Sequence, residues 1–370
     1  MELIVGSRKI TVTDAVMEKY LSGICGGLVA LKSSRKLGEG FHNAGFLLVF
    51  DVDGVERHLV LRVVRGDTGW GHDYLSDRAG TLLLQHELLN SAVADTVSRS
   101  VDVASIMRDG SVVSIGNSAE FLQLVEEIPE NCRPYADDFF RMAQDGACTE
   151  RDLQRCTAAA GYLVKLHSNK KNDPVLYKRH IRDLIGHGEM LMGVADTYPS
   201  YETLDFITSE EMEKIEVTAV KWRNRLKMKG HRLSRIHGDY HPFGNIRFSD
   251  DNSLSVSDLS REKFGEPADD VSSITMNFIF FSVWHFGEFK DPFRRLLTEF
   301  FRTYLGETKD HEILSVLAPF YAFRGLVVIH PLYYPEMEYK KRRMIINFIQ
   351  NVMSSSSFEI EKIDEYLKSN

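Results

Sequence analysis

HGDYHPFGN, residues 237–245, places an aspartate between two histidines and follows it with a Pro-Phe-Gly turn and an asparagine. The strand-like segment RLSRI (232–236) precedes it, and IRFSDDNSLSVSDLS (246–260) follows it. This order predicts strand, loop, strand, turn and strand, ending near Asp258. Two carboxylates and an amide at neighbouring hairpin ends would form an oxygen cluster of the kind that Mg²⁺ prefers. Asp239 need not bind that metal, because a carboxylate held close to it can orient an incoming hydroxyl and accept its proton.

Two other interpretations of this loop are open at this point. His237, Asp239 and His241 stand at i, i+2 and i+4, positions that share one face of a strand and can bind zinc. The Pro-Phe-Gly that follows is typical of a loop, however, and no third histidine comes soon after it. In the plainer interpretation, His237 and Asp239 only brace a turn.

The composition is that of an ordinary globular protein. Its 370 residues suffice for two domains or one large bilobed unit. Apolar residues make up 43% and charged residues 26%, and the net charge of −8 argues against non-specific binding to nucleic acid. The four cysteines stand far apart without a CxxC pair, which argues against a disulfide framework and favours a reducing interior.

No segment of the sequence predicts a membrane location. The start, MELIVGSRKI, lacks the basic and apolar regions of a signal peptide. The most apolar run, ITMNFIFFSVWHF (274–286), is too short to cross a bilayer and contains Asn and His, which predicts a buried helix. We therefore expect no membrane span, no membrane partner and a cytoplasmic location.

The first third of the chain is rich in strand patterns. Asp53-Gly54 between apolar runs predicts a hairpin, because a type I′ turn needs a positive φ at both central residues. Five strands are predicted, at 28–37, 46–52, 56–64, 111–115 and 120–128. Helices are predicted at 12–21 and 77–89. Hairpins adjacent in sequence imply one five-stranded antiparallel sheet with one inserted helix.

Helical patterns dominate after Pro129. TERDLQRCTAAAGYLVKLH (149–167) opens with a capping box from Thr149 to Asp152, and its apolar residues recur on one helical face. We predict an α+β, bilobal organisation, with an N-terminal lobe at 1–128 and a larger, mainly helical C-terminal lobe at 129–370.

Two features of the N-terminal part can hold a nucleotide. GEGFHNAG (38–45) joins two strands, which excludes a Rossmann turn, and the absence of GK[ST] excludes a P-loop. A glycine-rich turn between antiparallel strands can offer backbone N–H groups to a triphosphate, or be only a turn. Arg62 lies in the apolar strand LVLRVV (59–64), where a buried cation would need an anionic partner. The alternative is an edge-strand arginine that faces water.

HGDYHPFGN followed by SDLSREKFGEPADDV (257–271) resembles the aminoglycoside phosphotransferase family, the small-molecule branch of the protein-kinase-like fold. That family carries a His-Gly-Asp-x-His-x-x-Asn loop, an Ile-Asp-Trp-like segment and a Gly-Asp-Pro-x-x-Asp element. The resemblance covers roughly residues 28–330, and the two C-lobe motifs are its specific part. It implies Mg²⁺-dependent transfer of the γ-phosphoryl group of ATP to a hydroxyl of a small molecule, with GTP as an open alternative.

The resemblance also assigns roles to residues. Asp239 is the catalytic-loop aspartate, His237 braces the loop, and His241 stands where it can touch the transferred phosphate. Asn245 and Asp258 are the implied Mg²⁺ ligands, and Asp270 braces the catalytic loop without touching substrate. The implied nucleotide contacts are Gly38, Gly40 and Asn43 in the phosphate-covering loop, Arg62 and Asp77, and the Glu126 carbonyl and Ile128 N–H at the adenine edge.

The sequence departs from the family pattern in three places. Asp239 and Asn245 are six positions apart where the family has five, and we expect Gly244 to absorb the extra residue through a positive φ. Arg62 replaces a lysine, although arginine can still grip phosphate bidentately. Its helix partner is ambiguous between Asp77 and Glu87.

The acceptor is not readable from the sequence, and a monomer and a homodimer are both open. Rival functions are a nucleotide-binding scaffold without turnover, and transfer of AMP by the same fold. Candidate acceptor contacts in the helical lobe are Trp222, Trp284, His285, Arg324, His330, Tyr333 and Tyr334.

Overall fold

The computed structural model describes residues 1–5, 8–39, 43–66, 71–91 and 98–369. They form two compact units, Met1–Val125 and Glu126–Asn370. Both mix helices with small sheets. Within the described residues, no helix is long and apolar enough to cross a membrane.

The first unit is built around antiparallel strands. Its strands are β1 (Glu2–Val5), β2 (Arg8–Thr11), β3 (Val29–Glu39), β4 (Asn43–Val52), β5 (Val55–Val64), β6 (Ala104–Ile106) and β7 (Val112–Ser114), and its helices are α1 (Asp14–Cys25) and α2 (Leu75–Ser91). Strands β3, β4 and β5 form one antiparallel sheet in that order. Asp53 and Gly54 both have a positive φ, 52° and 86°, so the predicted β4–β5 hairpin is confirmed.

The core of this unit lies on one face of the three-stranded sheet. Residues along β4 alternate between buried and half-buried, as a central strand with one covered face requires. Phe46, Leu48 and Phe50 on its buried face pack in one cluster with Met17 and Leu21 of α1. The Thr13 hydroxyl accepts a hydrogen bond from the Val16 N–H and begins that helix.

The prediction of a single five-stranded sheet is wrong for the described residues. The strands divide into the β3–β4–β5 sheet and two separate hairpins, β1–β2 and β6–β7. The segment 120–128, predicted as the fifth strand, forms no strand, and Leu122 and Leu124 are fully or almost fully exposed. Its apolar residues at 121, 122, 124, 125 and 128 do not alternate, so no single face of a strand there could be buried.

The second unit is mainly helical. Its helices are α3 (Tyr135–Asp145), α4 (Glu150–His167), α5 (Pro174–Gly186), α6 (Leu191–Asp196), α7 (Ser209–Leu226), α8 (Ala268–Phe286), α9 (Phe293–Thr308), α10 (Ala318–Val328), α11 (Tyr339–Ser354) and α12 (Ile363–Tyr366). The predicted capping box is confirmed, because Thr149 and Asp152 each accept a hydrogen bond from the other's backbone N–H.

Helix α8 is the centre of this unit. It packs against α9 and α10, and every residue from Ala268 to Val283 is buried. The predicted buried helix over 274–286 is therefore confirmed. Phe278 and Phe281 of α8 pack edge-on or tilted against Phe139 of α3, which fixes the second half of α8 against α3.

Short strands in this unit hold the loop at 237–245. They are β8 (Arg133–Pro134), β9 (Ser234–Arg235), β10 (Ile246–Phe248), β11 (Leu254–Val256) and β12 (Phe264–Gly265). Strand β9 leads into the loop and pairs with β12, whereas β10 leaves it and pairs with β8 and β11. The predicted order of strand, loop, strand, turn and strand is confirmed.

Candidate active site

A buried carboxylate clamps the beginning of the loop. Asp270, in the first turn of α8, accepts hydrogen bonds from the His237 N–H at 2.7 Å and the Gly238 N–H at 2.8 Å. His167 Nε2 lies 3.1 Å from the same carboxylate, and Tyr304 Oη lies 2.7 Å from His167 Nδ1. Burial raises the pKa of Asp270, but the hydrogen bond from His167 and the contact with His237 outweigh it, so its pKa lies below the usual range.

His237 has both ring nitrogens engaged, one by the loop itself and one by the residue that follows β11. Nε2 lies 2.9 Å from the Ser257 carbonyl, which can only accept, so Nε2 carries the proton. Nδ1 then accepts from the Asp239 N–H at 3.2 Å. Among the described residues no group of three His, Cys, Asp or Glu side chains is placed to hold a metal ion. The zinc interpretation is therefore wrong for this part of the chain, because its ligand set is not formed.

Asp239 lies between two guanidinium groups. Its Oδ1 accepts from Arg324 Nη1 at 2.6 Å and lies 3.0 Å from Arg261 Nη1. His241 Nε2 is 3.8 Å from Oδ2. Burial raises the pKa of the Asp239 carboxyl, but attraction to Arg324 and Arg261 outweighs it and holds that pKa well below its usual range. Asp239 is therefore ionised throughout the physiological range.

Arg324 ties the loop to α8. This buried residue of α10 also donates to the Gly238 carbonyl at 2.9 Å and to Asp269 Oδ1 at 2.7 Å. From the sequence, Arg324 is predicted only as a contact of the acceptor, and neither its bond to Asp239 nor the role of Arg261 is foreseen. The sequence does contain a signal for this contact, because a charged residue inside the apolar helix α10 must have anionic partners.

Asn245 is oriented by the loop that it closes. Its Nδ2 donates to the Asp239 carbonyl at 2.8 Å. Because that carbonyl only accepts, the amide oxygen faces away from it. The positive φ expected at Gly244 is wrong: the positive-φ glycine of this loop is Gly238, at 92°, and a turn over 242–245 absorbs the extra residue.

Asp258 stands at the neighbouring hairpin end. The Ser257 N–H donates to the Asn245 carbonyl at 3.0 Å, so the structure brings the two predicted metal ligands to paired ends of β10 and β11. Asp258 is exposed and has a φ of 57°. Among the described residues, no hydrogen bond or salt bridge engages its carboxylate.

The predicted nucleotide contacts lie mainly in the first unit. Gly38 of β3 is paired with Gly45 of β4, and Gly45 is paired with Arg62 of β5. Asn43 begins β4 and is paired with Val64.

The other predicted nucleotide contacts that the structure describes lie outside this sheet. Asp77 lies in the first turn of α2, where its carboxylate accepts a hydrogen bond from the Tyr74 N–H at 2.7 Å. Glu126 and Ile128 belong to the unpaired segment at 120–128, and Gly40 lies outside the described residues.

Of the two interpretations of Arg62, the buried and ion-paired cation is wrong and the edge-strand arginine that faces water is confirmed. Arg62 is exposed, and within the described residues its guanidinium pairs with neither Asp77 nor Glu87. The physical reason is its position on the uncovered face of β5, where only Val64 is fully buried. An exposed guanidinium stays hydrated and needs no protein anion.

A cavity of about 390 Å³ lies beside Asp239 in the second unit. Asp239, His241, Arg261, Arg324 and the two tyrosines Tyr333 and Tyr334 are among its lining residues. The other aromatic candidates lie elsewhere: Trp222 is buried and donates to the Met353 carbonyl, whereas Trp284 packs against Phe280. The site thus combines an ionised carboxylate, two fixed cations and a cavity large enough for a small molecule.

We expect Gly238→Ala to destabilise the protein by about 1–3 kcal/mol, because φ of 92° strains any side chain and a Cβ would lie 2.2 Å from the Ser260 carbonyl oxygen. Gly244→Ala is the matched control, since its φ is not positive and no atom lies within 4 Å of the added Cβ. Urea unfolding measures both. Equal stability of the two variants would contradict this loop geometry.

Removing Arg261 should shift the pH dependence of activity. Without its attraction, the pKa of Asp239 rises, so Arg261→Gln should lose activity at a higher pH than the parent chain as the pH falls. Lys263→Gln, which removes an exposed cation two residues away, is the control for long-range charge effects. An unchanged acid limb in the kcat/KM profile of Arg261→Gln would show that Asp239 does not set that limb.

No protein-family model and no curated protein sequence matches this chain. Solved structures with some likeness include three small-molecule kinases. A glucosamine kinase is 14% identical with a TM-score of 0.34, and 92% of each chain is covered. A Plasmodium vivax ethanolamine kinase is 13% identical with a TM-score of 0.33, covering 91% of this chain and 80% of that one. An amicoumacin kinase, solved with AMP-PNP and Ca²⁺, is 13% identical with a TM-score of 0.38, covering 89% and 91%. These TM-scores are too low to assign the fold or activity of this chain.

Proposed function

We propose that this chain is an ATP-dependent phosphotransferase with a protein-kinase-like fold, which moves the γ-phosphoryl group to a hydroxyl of a small molecule. The observation that carries the proposal is the environment of Asp239. Its ionised carboxylate lines a cavity and sits on a loop that buried Asp270 clamps, next to the paired ends that carry Asn245 and Asp258. A nucleophile, a base and a metal–triphosphate need this kind of juxtaposition.

The residues around Asn245 fit a magnesium ion. The Asn245 amide oxygen faces away from the Asp239 carbonyl, and the Asp258 carboxylate is exposed and unpaired among the described residues. Mg²⁺ in such enzymes takes one or two protein oxygens and completes its shell with water and phosphate oxygens. Asn245 and Asp258 would hold it, and the ion would neutralise charge on the β- and γ-phosphates.

Asp239 would act by position more than by basicity. Arg324 and Arg261 keep its pKa low, so it is a weak base toward an alcohol in the ground state. The loose transition state of phosphoryl transfer needs an oriented hydroxyl, whose proton becomes acidic only as the oxygen–phosphorus bond forms. Oδ1 is held by the two guanidiniums, which leaves Oδ2 to accept the proton late in the reaction.

His241 would contact the transferred phosphate as a neutral group. Burial lowers the pKa of its imidazole, and the nearby Asp239 carboxylate opposes that effect without cancelling it. A neutral imidazole can still donate one hydrogen bond to a phosphate oxygen. His237 would only position the loop, because its ring nitrogens are already engaged.

The nucleotide contacts complete the proposal. Gly38, Gly40 and Asn43 would cover the phosphates, Arg62 would grip them, and Asp77 would order that region. The backbone of Glu126 and Ile128 would meet the purine edge. The choice between ATP and GTP would therefore depend mostly on backbone contacts. The exposed Arg62 is available to an anionic ligand, since within the described residues no protein group occupies it.

The test is product identification in the presence of Mg²⁺ and a panel of hydroxylated acceptors. The expected products are ADP and an acceptor phosphomonoester in equal amounts, with no product when EDTA replaces Mg²⁺. An adenylylated acceptor and released pyrophosphate would instead identify AMP transfer. ATP binding without any product would identify a scaffold and contradict the proposal.

A further inference from the structure

The cavity beside Asp239 is lined by three buried side chains that each leave a polar atom without a hydrogen-bond partner among the described residues. These atoms are Ser273 Oγ, Asn277 Oδ1 and Arg324 Nε. The residues of these three atoms are 1%, 4% and 6% exposed; Arg261, a half-buried residue that also lines the cavity, leaves its Nε without a partner among the described residues as well. A buried polar atom without a hydrogen bond is costly, so several such atoms on residues that line one cavity favour a ligand that supplies partners.

Two of these atoms belong to residues of helix α8, whose contacts determine what each atom can donate or accept. Ser273 and Asn277 are one helical turn apart and therefore share a face. Asn277 Nδ2 donates to the Ser273 carbonyl at 2.7 Å, which leaves its Oδ1 as an acceptor. The Ser273 hydroxyl both donates and accepts, and Arg324 Nε only donates. A ligand that satisfies all three needs donors and acceptors close together, as the hydroxyls of a polyol provide.

The apolar part of the lining fits the same class of molecule. Phe243, Phe323, Tyr333 and Tyr334 contribute aromatic surface to the cavity. Aromatic rings pack against the C–H faces of sugars, while the polar atoms take the hydroxyls. A volume of about 390 Å³ is at the small end of the range for ligand cavities, roughly 300–1,000 Å³.

The charges lining the cavity disfavour a cationic acceptor. Two carboxylates, Glu189 and Asp239, stand beside two cations, Arg261 and Arg324. Both guanidiniums contact Asp239, and Arg324 is shared with the buried Asp269, so Asp239 already has two cationic partners within 3.0 Å. An ammonium group near Asp239 would have to displace a guanidinium and would be repelled by the other. An acidic surplus that could hold a polycation is not present among these lining residues.

We propose that the cavity binds a neutral, polyhydroxylated molecule of the sugar or polyol class as the phosphate acceptor, and that Ser273 and Asn277 determine this specificity. The inference rests on the proposed phosphotransferase function. It goes further in naming the class of acceptor and the residues that select it.

The experiment compares matched ligands that differ at one functional group and therefore in charge. D-glucose, D-glucosamine and D-glucuronate are tested together with neutral pentoses, hexoses and alditols and with the amino and acid forms of each. Binding to the full chain is measured by calorimetry, and transfer by ADP formation with ATP and Mg²⁺. A neutral member should bind at least about tenfold more tightly than its amino form, because its hydroxyl replaces an ammonium that the two guanidiniums repel.

Variants on α8 connect the specificity to the proposed residues. Ser273→Ala and Asn277→Ala should each raise the Kd and KM for the neutral acceptor about tenfold and leave the KM for ATP unchanged. Ser272→Ala is the matched control: its hydroxyl is equally buried but bonds to the Asp269 carbonyl, and it does not line the cavity. We expect its acceptor KM to equal that of the parent chain.

The outcomes separate this inference from the proposed function. Neutral polyols that bind and lose affinity in Asn277→Ala, but receive no phosphate, would support the cavity assignment and contradict the phosphotransferase. Preferred transfer to amino or acid forms would support the phosphotransferase and overturn the polyol inference. Failure of every neutral ligand to bind would also overturn the inference.

Discussion

Asp239→Asn is expected to lower kcat by about 10²–10⁴-fold, the usual contribution of a positioned acid–base group. The asparagine keeps the shape of the side chain but cannot accept the proton of the acceptor hydroxyl. It also removes the negative charge between Arg324 and Arg261, which would otherwise orient the nucleophile. Steady-state ADP formation at saturating ATP and acceptor measures the loss.

Two comparisons make this result specific. Asp250→Asn changes an aspartate whose side chain is 93% exposed in a nearby turn and should retain the parent rate. Asp239→Asn should still bind ATP, because Asp239 is not a proposed metal ligand. A kcat within a few-fold of the parent would mean that Asp239 is not the base.

Asp270→Ala is expected to destabilise the protein by about 3–5 kcal/mol, the cost of breaking a buried charged network. The variant leaves the His237 and Gly238 N–H groups and His167 Nε2 without their common acceptor. The loop that carries Asp239 then loses its clamp, so activity should fall with stability. Urea unfolding measures the change, and Asp250→Ala at an exposed position should cost little.

Asp270 should also make the stability of the protein depend on pH, in a direction that follows from its pKa. The folded-state pKa of Asp270 is below its usual value, so its contribution to stability is present above that usual value. The contribution is lost as the pH falls through the folded pKa. Asp270→Ala should therefore lose less stability than the parent chain on acidification. Parallel stability–pH curves for the two proteins would contradict the role of Asp270.

Local features were predictable because neighbouring residues determine them. The Asp53-Gly54 hairpin, the Thr149 capping box and the apolar helix over 274–286 all follow from short-range chemistry and were confirmed. The strand order around the loop at 237–245 was also confirmed, because turn residues separate short β-rich runs.

Long-range contacts were not predictable from local patterns. Arg324 reaches Asp239 across 85 positions, and no spacing rule connects a residue in the middle of α10 to a loop that far away. The five-stranded sheet failed for a related reason, since strand pairing depends on partners that a single segment does not reveal. The expected positive φ at Gly244 failed because two glycines stood in the loop and sequence alone did not say which one turned.

The proposed reaction requires that Asn245 and Asp258 hold a divalent metal on the nucleotide next to Asp239. Its most direct test is titration of Mn²⁺, followed by electron paramagnetic resonance, into the full chain saturated with AMP-PNP. We expect nucleotide-dependent Mn²⁺ binding that Asn245→Ala and Asp258→Ala each weaken by at least about tenfold, while Asp250→Ala leaves it unchanged. Mn²⁺ affinity equal to that of the parent chain in both variants would contradict this metal site and the reaction proposed for it.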